Sequence, residues 1–298
     1  MIIDSHTHCF TYPSILDLHD KIKTTEDVAK FRSRYPHLSL SKLHASEKPI
    51  DLVKQILEEM GEHEFDLSII QPIPGVSAQQ VAEAVSKDAL HLAGLFPITK
   101  TYTLPPSKYD LDNIEENVSE GIALGLKGAA EVHLGSFAEE PEGIARGMNP
   151  LLEALAKKKV PLVVHTGWSQ HAGEIELRAS NPIYLDSVAA SFSEVPIILA
   201  HMGRGMNYFF EPAIAVALRN SNVYLDTADS ISQHVKIAVD KLGADRVLFG
   251  TDWSPTQRFI RDPMHIYKMN LVSVYEAVKK QSDREWVLSK TAKSIYNL

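Results

Sequence analysis

Residues 160–165 read VPLVVH and residues 195–201 read VPIILAH. Each is a short, unbroken run of β-branched and aliphatic side chains that ends in a histidine. A run without polar alternation suits a strand covered on both faces, which is the condition of strands in parallel sheets. Working outward, six more such runs occur, at 1–4, 65–71, 92–98, 126–130, 223–226 and 246–250. Stretches of helical character separate most of them, at 78–90, 112–125, 150–159, 182–192, 212–219, 230–242 and 263–280. Repeated strand-then-helix units of about thirty residues predict an α/β fold, a closed (β/α)8 TIM-type barrel forming a single domain over residues 1–298. An open doubly wound sheet is the alternative, but the glycine-rich turn expected after its first strand is missing.

The first interval is longer than the others. Residues 9–64 separate strand one from strand two and are read as an insertion in the first βα loop. Its Tyr12, Phe31, Arg32, Arg34, Tyr35 and His37 mix aromatic and cationic groups, and a barrel places such loops over its functional end. A substrate cap is the expectation, with a plain surface elaboration or an oligomer contact as alternatives. Residues 282–298 are expected to close the barrel with a last helix.

Composition narrows the function. The 298 residues carry 30 Lys plus Arg against 38 Asp plus Glu, a net charge of −8, which disfavours a binder of nucleic-acid backbones. A single cysteine, Cys9, excludes a scaffold of intrachain disulfides and suits a reducing compartment. The start, MIIDSH, lacks a basic and apolar leader, and no run reaches the roughly 18 apolar residues of a membrane span. The expected setting is the cytoplasm, the expected partner a small-molecule substrate, and neither nucleic acid nor membrane is expected. Homo-oligomerisation is an expectation too; the stretch 207–210 (NYFF) suits either apolar surface or core.

Thirteen histidines are many for this length, and their positions matter more than their number. His6 and His8 flank Thr7 directly after the first run, and side chains at i and i+2 of an extended segment point to one side, so both rings can reach one cation. His165 and His201 end the two runs quoted above, Glu131 follows LKGAA, and Asp252 follows RVLFGT. All six fall at carboxyl ends of predicted strands, which converge on one mouth in a barrel. A lone histidine there is more often a hydrogen-bonded structural residue. Four, joined by two carboxylates that are costly to bury unpaired, point to a divalent metal held by His6, His8, Glu131, His165, His201 and Asp252. With thiolates scarce, imidazole and carboxylate must be the ligands, as in catalytic sites.

Around them lie candidates for substrate contact: His133, Trp168, His171, Arg204, Trp253 and Arg258. An arginine at the mouth suits a substrate carboxylate, or a salt bridge that orders the loop. Cys9, next after His8, should point away and pack. Asp4 and Asp226 are candidates to support the ligand rings.

The motifs IDSHTH at the start, VVHTG around His165, LAHMG around His201 and LFGTDWSP around Asp252 resemble the amidohydrolase superfamily, in particular its amidohydrolase-2 branch, which includes aminocarboxymuconate-semialdehyde decarboxylase and related lactone hydrolases. They span nearly the whole chain in the family's order, and GTDWSP is the most specific. The resemblance implies a (β/α)8 barrel holding a divalent metal, usually zinc, by His6, His8, one or both later histidines and Asp252. At strand four the chain departs from the branch, having Glu131-Val132-His133 where many members have KLHP. A glutamate there resembles the TatD-type branch, in which it helps hold a second metal. One or two ions are therefore in view: with two, Glu131 bridges; with one, His201 is free to position or deprotonate water.

The expected activity is metal-dependent hydrolysis of an amide, ester or lactone in a small, carboxylated molecule, with Asp252 as proton shuttle. Non-oxidative decarboxylation of an aromatic or muconate-like acid keeps the same site. A TatD-like nuclease gains from Glu131 and loses to the net charge. A noncatalytic barrel fits poorly with an intact ligand set.

Overall fold

In the computed structural model, the residues whose structure is described are 1–10, 24, 26, 52–73, 75–98, 109, 111–138, 140–168, 177–254 and 263–298. Eight strands alternate with eight helices. They run β1 (Ile3–Thr7), α1 (Leu52–Glu62), β2 (Leu67–Ile70), α2 (Ala78–Ser86), β3 (Leu92–Gly94), α3 (Ile114–Ala123), β4 (Ala129–Val132), α4 (Ile144–Lys158), β5 (Leu162–His165), α5 (Asp186–Ser191), β6 (Ile197–Ala200), α6 (Asn207–Arg219), β7 (Val223–Asp226), α7 (Ser232–Leu242), β8 (Val247–Leu248) and α8 (Pro263–Ala277).

All strand pairs are parallel and sequential, β1-β2-β3 in one sheet and β4 through β8 in another. Both seams between the sheets are bonded. Phe96 N donates to Gly128 O at 2.8 Å between the third and fourth strands, and Ser5 N donates to Phe249 O at 2.9 Å between the first and eighth. The sheet is thus a closed barrel of eight strands, as the sequence predicts, with no open edge.

Two apolar cores follow from the alternation of side chains along each strand. One lies between strands and helices. The other fills the barrel, where Ile3, Ile69, Leu95, Val163, Ile198 and Leu248 pack with Ala292, Ile295 and Tyr296. The last three come from the final helix, α10 (Thr291–Tyr296), which follows the short α9 (Gln281–Glu285). The expected closing helix therefore supplies part of the interior.

Three expectations are corrected. The end of the presumed insertion, Leu52–Glu62, is the helix of the first unit, with Val53, Ile56 and Met60 buried. The extra chain is shorter than residues 9–64, and the proposed cap residues 31–37 lie outside the described residues. The helices expected to begin at Pro150 and Pro212 begin earlier and run through the prolines. A proline inside a helix costs about 3 kcal/mol. In α4 the buried stripe Ile144, Met148, Leu151, Leu152 and Leu155 continues across Pro150, and each such burial contributes about 1.5–3 kcal/mol, so packing outweighs the break. In the NYFF stretch, Tyr208 is exposed while Phe209 and Phe210 are core. No helix among the described residues is long and apolar enough to cross a membrane.

Candidate metal centre

The strand ends bring the six predicted ligand residues into one cluster. His6 and His8 rise from β1, with Nε2 atoms 3.2 Å apart. Glu131 Oε2 lies 3.7 Å from His6 Nε2 and 3.6 Å from His8 Nε2. Asp252 Oδ1 lies 3.7 and 3.5 Å from the same two nitrogens. On the other side, Glu131 Oε1 lies 2.8 Å from His165 Nδ1 and 3.6 Å from His201 Nε2.

Three of the four rings have an oxygen partner on the outer nitrogen, which in the neutral ring fixes the inner one. His6 Nδ1 donates to Asp226 Oδ2 at 2.7 Å, His8 Nδ1 to the Gln71 carbonyl at 3.2 Å and His201 Nδ1 to the Ala228 carbonyl at 3.3 Å. In their neutral form, rings so held would turn three lone pairs inward, toward the carboxylate oxygens. His165 Nε2 is buried and has no hydrogen-bond partner. Apart from His165 Nδ1, which donates to Glu131 Oε1, the inward atoms face one another as acceptors, and a cation would satisfy them, so the residues fit a divalent ion. Three triads have ligand atoms close enough to share one: His6, His8 and Glu131; His6, His201 and Asp252; Glu131, His165 and His201.

The buried carboxylates favour positive charge in the cluster. At His6, burial alone would depress the ring's pKa, but Asp226 and Glu131 outweigh it and hold the pKa well above the ordinary value. Burial pushes His8 and His165 down. Glu131 and Asp252 would be raised by burial, yet the surrounding imidazoles, and Arg204 at Asp252, hold both carboxyls below the usual range. The two carboxylates draw positive charge into a dry site. Asp4, which burial pushes up to about 7, does not support a ligand ring; it bonds Thr251 N and Oγ1 across the β1–β8 seam and accepts from His6 N.

Backbone strain concentrates here. His201, Met202, Arg204, Asp229 and Asp252 all have positive φ, five of the eight such non-glycine residues among those described. Glycine permits the approach of the two histidine loops. A Cβ on Gly203 (φ 95°) would lie 2.5 Å from Phe210 N, and one on Gly167 (φ 95°) 2.9 Å from Gly203 C. The rings of His165 and His201 are consequently 5.0 Å apart.

The other predicted residues divide. His133 stands at the mouth, its ring 5.0 Å from that of His165 and its N–H on Tyr109 Oη at 3.0 Å. Trp168 and Arg204 line a groove of about 840 Å³ together with Asp229, Ile231 and Met269. Trp253 is not at the mouth. It is fully buried in the outer core, with its indole N–H donating to buried Glu59 at 2.6 Å. His171 and Arg258 lie outside the described residues. Sequence reading missed Asp229, Tyr109 and the carbonyls of Gln71 and Ala228. Only Asp229 carried a signal, as a carboxylate three residues past a predicted strand end.

A family model described as Amidohydrolase, of the amidohydrolase-2 type, matches residues 3–298. The chain belongs to the amidohydrolase family. It is accordingly an enzyme, and the resemblance of its motifs is confirmed over nearly its full length. No curated protein sequence matches this amidohydrolase significantly. Solved structures do. The 5-carboxyvanillate decarboxylase LigW2 from Novosphingobium aromaticivorans, with bound manganese, aligns with a TM-score of 0.68 at 14% identity, covering 100% of this chain and 97% of that one. A putative 2-pyrone-4,6-dicarboxylic acid hydrolase from Pseudomonas putida aligns at 0.64 and 14%, covering 99% and 97%. An amidohydrolase from Burkholderia multivorans with bound zinc aligns at 0.63 and 15%, covering 100% and 99%. At these identities the likeness is one of fold.

Proposed function

We propose that this amidohydrolase hydrolyses an amide, ester or lactone bond in a small, carboxylated molecule, using a divalent cation, zinc before others, held by His6, His8, Glu131, His165, His201 and Asp252. The observation that carries the reading is the convergence of the inner His6, His8 and His201 nitrogens on oxygens of Glu131 and Asp252. A cation bound by such ligands lowers the pKa of water to about 7 and polarises a carbonyl oxygen. Asp252 accepts the proton of the attacking water and returns it to the leaving group. Glu131 divides its oxygens between the His6–His8 side and the His165–His201 side, which supports room for two ions. If one ion is held, His201 is free to orient the water. Trp168 lines the groove beside the cluster, and His133 packs against the His165 ring. A single cysteine, unable to form an intrachain disulfide, is in keeping with a reducing setting such as the cytoplasm.

Non-oxidative decarboxylation stands beside this reading. A cation held by the same residues would draw charge from a substrate carboxylate and a neighbouring oxygen, Asp252 would carry the proton, and the manganese-bound relative is a decarboxylase. The test begins with metal analysis of protein purified without chelator. One or two equivalents of zinc or a similar ion are expected, and a folded protein unable to bind zinc or manganese overturns the proposal. A panel of lactones, esters and amides, run beside aromatic and muconate-like acids, then divides the readings: hydrolytic product supports the first, and headspace carbon dioxide selects the second.

A further inference from the structure

Arg204 sits just past the turn that follows β6, in a left-handed conformation (φ 51°), with its side chain only 8% exposed. Its Nε and Nη2 donate to Asp229 Oδ2 at 3.2 and 2.9 Å, and Nη2 also donates to Asp252 Oδ2 at 2.8 Å. The guanidinium lies over Trp168, 5.4 Å from the ring centroid, and Trp168 Nε1 donates to the Arg204 carbonyl at 3.3 Å. Asp229 is itself tied down: its N–H donates to Asn270 Oδ1 at 3.0 Å, while Asn270 Nδ2 donates to the carbonyl of Thr251, next to Asp252.

One cation thus stands between two buried carboxylates. A substrate carboxylate arriving at Arg204 would meet Asp229 and Asp252 first, so the guanidinium is poorly placed as a substrate clamp. What the contacts accomplish is the orientation of Asp252. Its Oδ2 is taken by Arg204, and its Oδ1 is left 3.5 Å from His8 Nε2 and 3.7 Å from His6 Nε2. A free carboxylate rotates about its last bond and exchanges its oxygens, whereas this one is fastened on one side.

We propose that Arg204, backed by Asp229, is a positioning residue that fastens one oxygen of Asp252 and so directs the other at the metal-binding nitrogens. The inference rests on the metal reading given above. Outer contacts of this kind are worth about 10- to 100-fold in metal affinity.

The experiment is a cobalt(II) titration of metal-free protein, with affinity and the visible absorption spectrum as readouts, and circular dichroism to show that each variant is folded. Arg204→Met should weaken cobalt binding by about 10- to 100-fold and change the spectrum at saturation. Arg204→Lys should recover part of the loss, because a point charge keeps one contact but not the fork. Asp229→Asn should lose less, and the double variant Asp229→Asn with Arg204→Met should be no worse than Arg204→Met alone. Should Arg204→Met fail to fold, the Lys and Asp229→Asn variants carry the test. Folded variants that bind cobalt with wild-type affinity and spectrum overturn the positioning role. Wild-type protein that binds no cobalt overturns the metal reading, and this inference with it.

Discussion

At the closed end of the barrel, Ile3, Ile69, Leu95, Val163, Ile198 and Leu248 pack on Ala292, Ile295 and Tyr296; at the open end, a few residues farther along the same strands, His6, Glu131, His165, His201 and Asp252 face one another. The first set is dry and apolar. The second gathers buried ionisable groups and five residues of positive φ. Strain of that kind costs on the order of 1 kcal/mol or more per residue, against a net stability of about 5–15 kcal/mol for a whole domain. The open end therefore persists because the closed end and the helical layer hold it, and the strands join a stabilising half to a reactive one.

That division can be broken experimentally. Asp252→Asn should lower turnover by about 10²- to 10⁴-fold with the fold retained, and steady-state kinetics beside circular dichroism check it. If turnover survived, Asp252 would lose its role as proton carrier. Leu248→Ala, at the closed end, should cost about 2–5 kcal/mol in urea denaturation while leaving the metal content of folded protein unchanged. Metal loss without a stability change would show that the two ends are not separable. Asp226→Asn removes the carboxylate behind His6 and should weaken zinc binding by about 10- to 100-fold, read by chelator competition. Unchanged affinity there would mean that the His6 ring is oriented by its strand alone.

The reactive half was legible in the sequence to the extent that strands could be located. His6, Glu131, His165, His201 and Asp252 ended runs that the hydrophobic pattern identifies, and a barrel's symmetry brings such ends together without further information. Trp253 obeys the alternation that turns Cys9 outward. Cys9 follows His8 and Trp253 follows Asp252 in the same way; Thr7 and Trp253 pair as a bridge, and both Cys9 and Trp253 are buried in the outer core. The pairing of Arg204 with Asp229 and Asp252 joins three separate loops, and Gln71 and Ala228 contribute carbonyls that any residue type could supply. Neither leaves a mark on composition or spacing. The prolines misled in the helices because their local cost was visible and the buried stripe that outweighs it was not.

The seam between the first and eighth strands has a consequence for biosynthesis. Ser5 Oγ and the Phe249 carbonyl it meets are 244 residues apart in the chain, and Asp252 lies just beyond. A growing chain presents His6 and His8 to the cell long before the carboxylate that completes their surroundings has been made. The barrel cannot zip shut until the strand that carries Phe249 has left the ribosome. If the proposed cation is held there, the full ligand set can meet it only after the barrel has closed.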